Sequence, residues 1–447
     1  MVPESRAAKK LLDMDRYQWT VLFAAWLGWG FDVFDGLLFN YVAPNCVPTL
    51  VGVPLGTPEA KSATLLWTGI LTSLLLVGWG IGGIIFGRVA DKIGRTKTLM
   101  LTMLLYALGT ELCAAAPNIW WLIPCRFIAS LGIGGEWAAG ASMVAEVVPE
   151  KRRVEAGAIL YTSAPMGIML AGFVTHFIQG SVLPGSPETA WRWVFLCGLI
   201  PAAVAFLVRR FVKEPEAWKA EGEGSHPRVS ELFSPEFKKT TLSGLGMAVV
   251  ALIMWWSCNA FINVIAAAMA SGEAKSLGLG KPETQRMVED WKILATNCFA
   301  FGGLIGTMLT VWFAKNLGRK PMYIIYFAAS ALALFCTFGL PIEPHTRLYM
   351  YFFIGLTIFG VFGSFTYYLP ELFPTRLRAT GAGFCYNAGR FVAALGPFAV
   401  GKVASLGEKT LETALRTQLW IAVVPLLGLL LMPWVVETRE KVEGPGG

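Results

Sequence analysis

Apolar residues run through this chain in long blocks, with the polar residues gathered between them. Six windows hold no charged residue at all: Ser62–Gly87, Thr240–Gly272, Ile293–Ala314, Pro321–Ile342, Leu348–Pro370 and Gln418–Val436. Each supplies the run of about 20 apolar residues that a helix needs to cross a ~30 Å hydrocarbon layer. Blocks this long, without alternation, are not strands of a soluble sheet. Adding the runs that carry one to three charges predicts twelve helices, at roughly 19–43, 62–87, 98–117, 119–148, 155–180, 191–212, 240–271, 292–314, 321–341, 347–369, 379–402 and 412–436. The predicted fold class is therefore an all-α polytopic membrane protein embedded in a lipid bilayer.

Composition agrees. Of 447 residues, 55% are hydrophobic and 15% charged, against about 25% charged in ordinary soluble domains. The 37 Lys and Arg against 30 Asp and Glu would hint at nucleic acid if they lay on one surface. Instead they concentrate in the loops on the side that carries both termini. That is the positive-inside pattern, which places both termini in the cytoplasm and leaves no nucleic-acid partner to explain. The first apolar run is long and has no cleavage site, so it reads as a span and not as a signal peptide. The eight cysteines are scattered, mostly within spans, and never form CxxC. They read as small packing residues, with no metal site implied.

The chain repeats itself. GRVADKIGRTK (87–97) follows the second span and AKNLGRKP (314–321) the eighth, which aligns Gly94 with Gly318. EVVPEKRR (146–153) and ELFPTRLR (371–378) share Glu-x-x-Pro-x-x-x-Arg, which aligns Glu146 with Glu371. Two motifs at nearly one offset, half the chain length, predict two pseudo-symmetric six-helix bundles. The halves are 1–212 and 240–447, joined by a polar cytoplasmic linker at 213–239.

GxxxDxxGRxK at Gly87–Lys97 resembles the signature loop of the major facilitator superfamily, over essentially the whole chain. The second copy is degenerate, with Val311 and Lys315 where the first has Gly87 and Asp91. Asp-x-x-Asp in span one, GIGGEW (132–137) in span four and PELFPTRLRATGAGFCYNAGR (370–390) entering span eleven resemble the metabolite and organic-acid:proton symporter branch. That branch includes aromatic-acid, sialate and lactate-type carriers. The resemblance implies a bacterial inner-membrane transporter with no catalytic site and no cofactor beyond protons as coupling ion. Its partner would be a small organic anion, with no obligatory protein partner. It also implies an inner gate at Asp91, Arg95, Glu146 and Arg153, loop charges that hold the halves together.

Ionisable groups within spans are functional candidates because each is expensive there. Asp35 lies about 24 Å along its helix from Trp19 and Asp32 about 20 Å, so both reach the bilayer interior. As i and i+3 they share a face, and two such carboxylates cannot both stay ionised cheaply in a low-dielectric site. One of them is suited to carrying a proton. Arg126 of span four is the expected counter-ion of Asp35, by resemblance to proton-coupled carriers; a purely structural ion pair is the alternative. Arg390 lies about 18 Å into span eleven. In the repeat alignment Tyr161-Thr-Ser-Ala-Pro165 corresponds to Tyr386-Asn-Ala-Gly-Arg390, so this arginine occurs in one half only. A feature demanded by the fold would tend to occur twice. A planar guanidinium suits two-point capture of a carboxylate, with Tyr386 and Asn387 beside it; a salt bridge within the bundle is the alternative. Asn259 and Asn263 of span seven are cavity candidates or interhelical glue. Glu136 either gates the inner exit or orients loops.

Several readings are excluded. Gly78–Gly83 satisfies GxGxxG but lies inside an apolar span with no preceding strand. There is no GxxxxGK[ST] for an ATP-driven pump and no HExxH for a metalloprotease. The readings left open are proton-coupled uptake of a carboxylate, proton-coupled transport of a neutral sugar or polyol, proton-coupled efflux, and a non-transporting nutrient sensor.

Overall fold

The structure is a computed structural model that describes residues 14–438 except 94, 150–151, 201–202, 205–206, 208–227, 375–376 and 408–409. Within helices, the side chains of 90–92, 95–96, 136–143, 145–146 and 379 also lie outside the description.

The first half comprises α1 (Arg16–Val51), α2 (Pro58–Ile93), α3 (Arg95–Ala114), α4 (Ile119–Val147), α5 (Arg153–Tyr161), α6 (Ser163–Thr175) and α7 (Pro187–Cys197). A π-helical turn, His176–Val182, extends α6. The second half comprises α8 (Lys238–Asn259), α9 (Ile262–Ser276), α10 (Lys281–Asn316), α11 (Arg319–Gly339), α12 (Pro344–Glu371), α13 (Arg378–Ala393), α14 (Leu395–Ser405), α15 (Thr410–Trp420) and α16 (Val423–Leu430). Pairs of these helices stack into single spans: α5 with α6, α8 with α9, α13 with α14, and α15 with α16. Twelve spans in two six-helix bundles result. Among the described residues, eight continuous helical stretches, three of them stacked pairs, are long and apolar enough to cross a membrane.

The two halves pack internally in the same way. A methyl group at Gly82 of α2 would collide with the Leu131 carbonyl of α4, and one at Gly306 of α10 with the Leu356 carbonyl of α12. Gly306 is the repeat equivalent of Gly82, and Leu356 that of Leu131. Lipid offers no hydrophobic drive for helices to associate, so close backbone approach through small residues supplies the packing. The outward face of α3 presents Leu101, Leu104 and Leu108, all exposed, as expected of a surface solvated by hydrocarbon.

Contacts between the halves run along two seams. α2 meets α13 and α14, where Ser73 Oγ donates to the Ala394 carbonyl at 2.6 Å and Ser62 Oγ to the Ser405 carbonyl at 2.7 Å. The span of α5 and α6 meets α10 and α12, with His176 Nε2 2.8 Å from Asp290 Oδ1.

Two predicted boundaries are corrected. Span one does not stop before Pro44: α1 continues through Pro44 and Pro48 to Val51 and ends on Gly52, whose φ of 77° suits a helix stop. Membrane helices tolerate proline because neighbouring groups satisfy the freed backbone. Span eight does not begin at residue 292: α10 starts at Lys281, after an extended Gly280 and with Pro282 in its first turn. Glu289, Asp290 and Lys292 are therefore inside a helix. Of the predicted linker, 213–227 lie outside the described residues; beyond them a 3₁₀ turn spans Val229–Phe233 and α8 begins at Lys238.

Candidate functional site

Two charged centres occupy the interior. α1 begins with a capping box, Asp15 Oδ1 accepting from the Gln18 amide at 2.8 Å and Gln18 Oε1 accepting from the Asp15 amide at 2.9 Å. Gln18 also donates to the Val147 carbonyl at 3.1 Å, fixing α1 against α4. Five turns later α1 delivers Asp35, 1% exposed, into its own half. Thr110 Oγ1 of α3 donates to Asp35 Oδ2 at 2.8 Å. Gly198, just after α7, closes the other side: a methyl there would sit 3.1 Å from Asp35 Oδ1. Asp35 Oδ1 has no hydrogen-bond partner among the described residues.

Arg126 of α4 is also buried and lies close enough to act electrostatically on Asp35, while its hydrogen bonds go to main-chain oxygens. Its Nη2 donates to the Gly36 carbonyl at 2.6 Å and its Nη1 to the Asp35 carbonyl at 3.5 Å. Its guanidinium stands 5.9 Å from the Phe39 ring centre. The cation is thus fastened to the main chain beneath the carboxylate. Asp32 is buried one turn earlier on the same helix.

The second centre lies between the halves. On α13, Arg390 Nη1 donates to Asn387 Oδ1 at 2.7 Å. The guanidinium lies 4.6 Å from the Tyr386 ring centre and 4.6 Å from that of Trp79, which belongs to α2 of the other half. The side chains of Tyr386 and Tyr161 lie next to each other. These tyrosines occupy equivalent positions in the two repeats. Equivalent residues can touch only near the axis that relates the halves, so Arg390 stands beside the pseudo-two-fold axis.

Aromatic rings from both halves surround it. Trp79 meets Trp256 at 5.5 Å, Trp256 meets Trp255 at 4.5 Å, and Trp255 meets Phe359 at 6.0 Å. Tyr161 meets Trp29 at 5.4 Å and Phe362 at 6.2 Å. Chemically this is a permanent cation set among apolar faces with a phenol and an amide alongside. It suits a flat or compact anion whose charge meets the guanidinium and whose body lies against rings.

Of the other candidates, Asn259 ends α8 and Asn263 lies in the first turn of α9, both buried. The described contacts do not bring them to Arg390. Asp91, Arg95, Glu146 and Glu136 have side chains outside the described residues, and Arg153 is half-buried at the start of α5. In the second half, the repeat equivalents of Arg95 and Glu146 do pair: Arg319 donates to Glu371 from Nε at 3.1 Å and from Nη2 at 2.8 Å. Glu437 accepts from the Arg319 and Lys320 amides at 3.0 and 2.9 Å. Lys315, where the repeat departs from its first copy, reaches across the halves to Glu155 at 2.5 Å.

Sequence reasoning missed one buried pair. Lys292 Nζ lies 2.6 Å from Glu289 Oε1, and both side chains are 1% exposed. The available signal was their i, i+3 spacing beside an apolar run.

The sequence profile of the Major Facilitator Superfamily matches residues 33–397 and 257–446. Over 427 residues the chain is 28% identical to the "Probable 4-methylmuconolactone transporter" of Cupriavidus pinatubonensis, covering 93% of this chain and 90% of that one. It is 24% identical over 434 residues to the gentisate transporter of Corynebacterium glutamicum, covering 95% and 91%. The crystal structure of a D-xylose-proton symporter superposes with a TM-score of 0.72 at 18% identity, covering 95% of this chain and 99% of that one; the likeness is one of fold. Repeat, helix packing and profile agree, and the chain belongs to the major facilitator superfamily of membrane transporters.

Proposed function

We propose that this protein is a secondary transporter that takes up a small organic acid anion together with protons, by alternating access of its two halves. The observation that carries the reading is Arg390 beside the Tyr161–Tyr386 contact, enclosed by rings from both halves. A ligand held near the axis between two rocking bundles keeps its site while the walls around it change, as alternating access requires. Guanidinium chemistry favours a carboxylate over a neutral sugar, because both carboxylate oxygens can accept parallel N–H bonds. A relative that carries gentisate supports an organic acid as substrate.

In this scheme Asp35 carries the proton, Arg126 holds the main chain beneath it, and Asp32 modulates it. Tyr386 and Asn387 complete the anion site with Arg390, while Asn259 and Asn263 lie on the path. Asp91, Arg95, Glu146 and Arg153 form the inner gate, with Glu136 near the exit. Residues 1–212 and 240–447 are the moving halves and 213–239 the linker. Both termini face the cytoplasm of a bacterial inner membrane, as the distribution of Lys and Arg favours.

The test is a thermal-shift screen of purified protein against acetate, succinate, benzoate, gentisate, sialate, xylose and glucose at two pH values. At least one carboxylate should stabilise with the logarithm of its concentration, and Arg390→Gln should remove that shift. Stabilisation by sugars alone, or a carboxylate shift unchanged in the variant, would overturn the reading.

A further inference from the structure

The buried pair on α10 lies under a cavity that the Arg390 site does not explain. That cavity, about 590 Å³, opens on the face away from the termini. Its charged lining is Lys61 of α2, Glu188 of α7, Lys275 of α9 and Lys281 of α10. Lys281 pairs with Glu188 at 3.5 Å, so Lys61 and Lys275 leave the vestibule with an excess of positive charge. Such a lining raises the local concentration of anions.

Gln285 forms part of the same lining and begins a polar stripe on α10. Gln285, Glu289, Lys292 and Thr296 follow one another at helical spacing, leading from the vestibule into the protein. Gln285 Nε2 donates to Glu289 Oε1 at 2.9 Å, and Lys292 Nζ donates to the same oxygen at 2.6 Å. The stripe faces the π-helical turn of the other half, where a methyl at Gly180 would lie 3.1 Å from Glu289 Cβ. His176 and Asp290 cross the same seam. The pair therefore sits on a surface along which the halves meet, and π-turns recur at functional positions.

Both partners lie on α10, so their bond ties in no second helix, and apolar side chains of similar volume would stabilise the packing as well or better. Charges kept at membrane depth point to a ligand pathway. An ammonium that already holds a carboxylate is also a site for another one.

We propose that Lys292 is a first binding site for the substrate carboxylate, with Glu289 its resident placeholder. An anion gathered in the vestibule exchanges with Glu289 on the Lys292 ammonium as the π-turn draws away from α10. The Gln285 amide keeps the displaced Glu289 carboxylate. The anion then passes along the stripe towards Arg390. This site rests on the organic-anion reading above and adds a station to its path.

The test uses full-length protein in vesicles sorted so that the vestibule faces the bath, with labelled acetate, succinate, benzoate and gentisate as probes. Wild-type protein should take up at least one of them saturably; if it moves none, the organic-anion reading fails and this site falls with it. Given wild-type uptake, the double variant Glu289→Gln/Lys292→Gln removes both charges and keeps hydrogen-bonding groups. Its KM from the vestibule side should rise at least tenfold, with KM from the opposite side unchanged. An unchanged KM on both sides would reduce the pair to a structural lock. A second variant, Lys61→Gln/Lys275→Gln, lies on the cavity wall and leaves the pair intact. It should raise the vestibule-side KM threefold or more at low ionic strength, an effect that salt removes. No change at low salt would overturn the vestibule's part and with it the route to Lys292.

Discussion

Asp35 and Arg390 are both buried charges, yet their surroundings are opposite in kind. Among the described residues, the groups that meet Asp35 come from one half: Thr110, the Arg126 guanidinium under its backbone, and Gly198. Arg390 instead takes Trp79 from the first half, Tyr386 and Asn387 from the second, and stands beside a tyrosine pair that joins them. Rocking one bundle against the other leaves the first environment intact and remakes the second. A group enclosed in one rigid body is suited to storing a proton through the cycle. A group between bodies is suited to gripping something that must be released on the other side.

That contrast makes separable predictions. The largest effect is expected from Asp35→Asn, which should abolish accumulation driven by a pH gradient while leaving counterflow exchange of the substrate. Normal uphill uptake in this variant would remove the proton role. Arg390→Lys should do the reverse, keeping the coupling but raising KM for the carboxylate at least tenfold, about 1.4 kcal/mol of lost binding, because an ammonium cannot make the two parallel bonds. An unchanged KM would discard Arg390 as the anion ligand. Trp79→Leu removes a ring face from the cation at a cost of about 0.5–2 kcal/mol, so a smaller rise in KM is expected, read in the same uptake assay. Lys315→Gln should change the rate least. It breaks a half-exposed pair worth about 0–1 kcal/mol, and an effect larger than tenfold on turnover would show the Glu155 contact to be a principal gate.

Much of the architecture is legible in the sequence. The offset between Gly94 and Gly318 announced the repeat, and the same offset recurs in the Gly82 and Gly306 contacts that pack each half. Arg390 stood out because its repeat equivalent is Pro165. What escaped was whatever depended on a partner distant in sequence or on a bond that only the fold reveals. Charge-free windows delimit the spans in sequence, which leaves Glu289 outside and Lys292 at the very edge, although their mutual bond lets both stay in the helix. Lys315 looked like decay of a motif, but Glu155, far away in the other half, receives it. Pro44 resembled a helix end because local sequence carries no sign that tertiary packing will hold the chain straight. The carbonyl partners of Arg126 on α1 are not legible in sequence, because they are main-chain atoms that only the fold brings to its guanidinium.

The most direct measurement is uptake of a labelled carboxylate into vesicles loaded with purified protein, with and without an imposed pH gradient, acid outside. Accumulation above the equilibrium level should occur only with the gradient and collapse on adding a protonophore. Equal accumulation in the absence of any gradient would contradict proton-coupled transport.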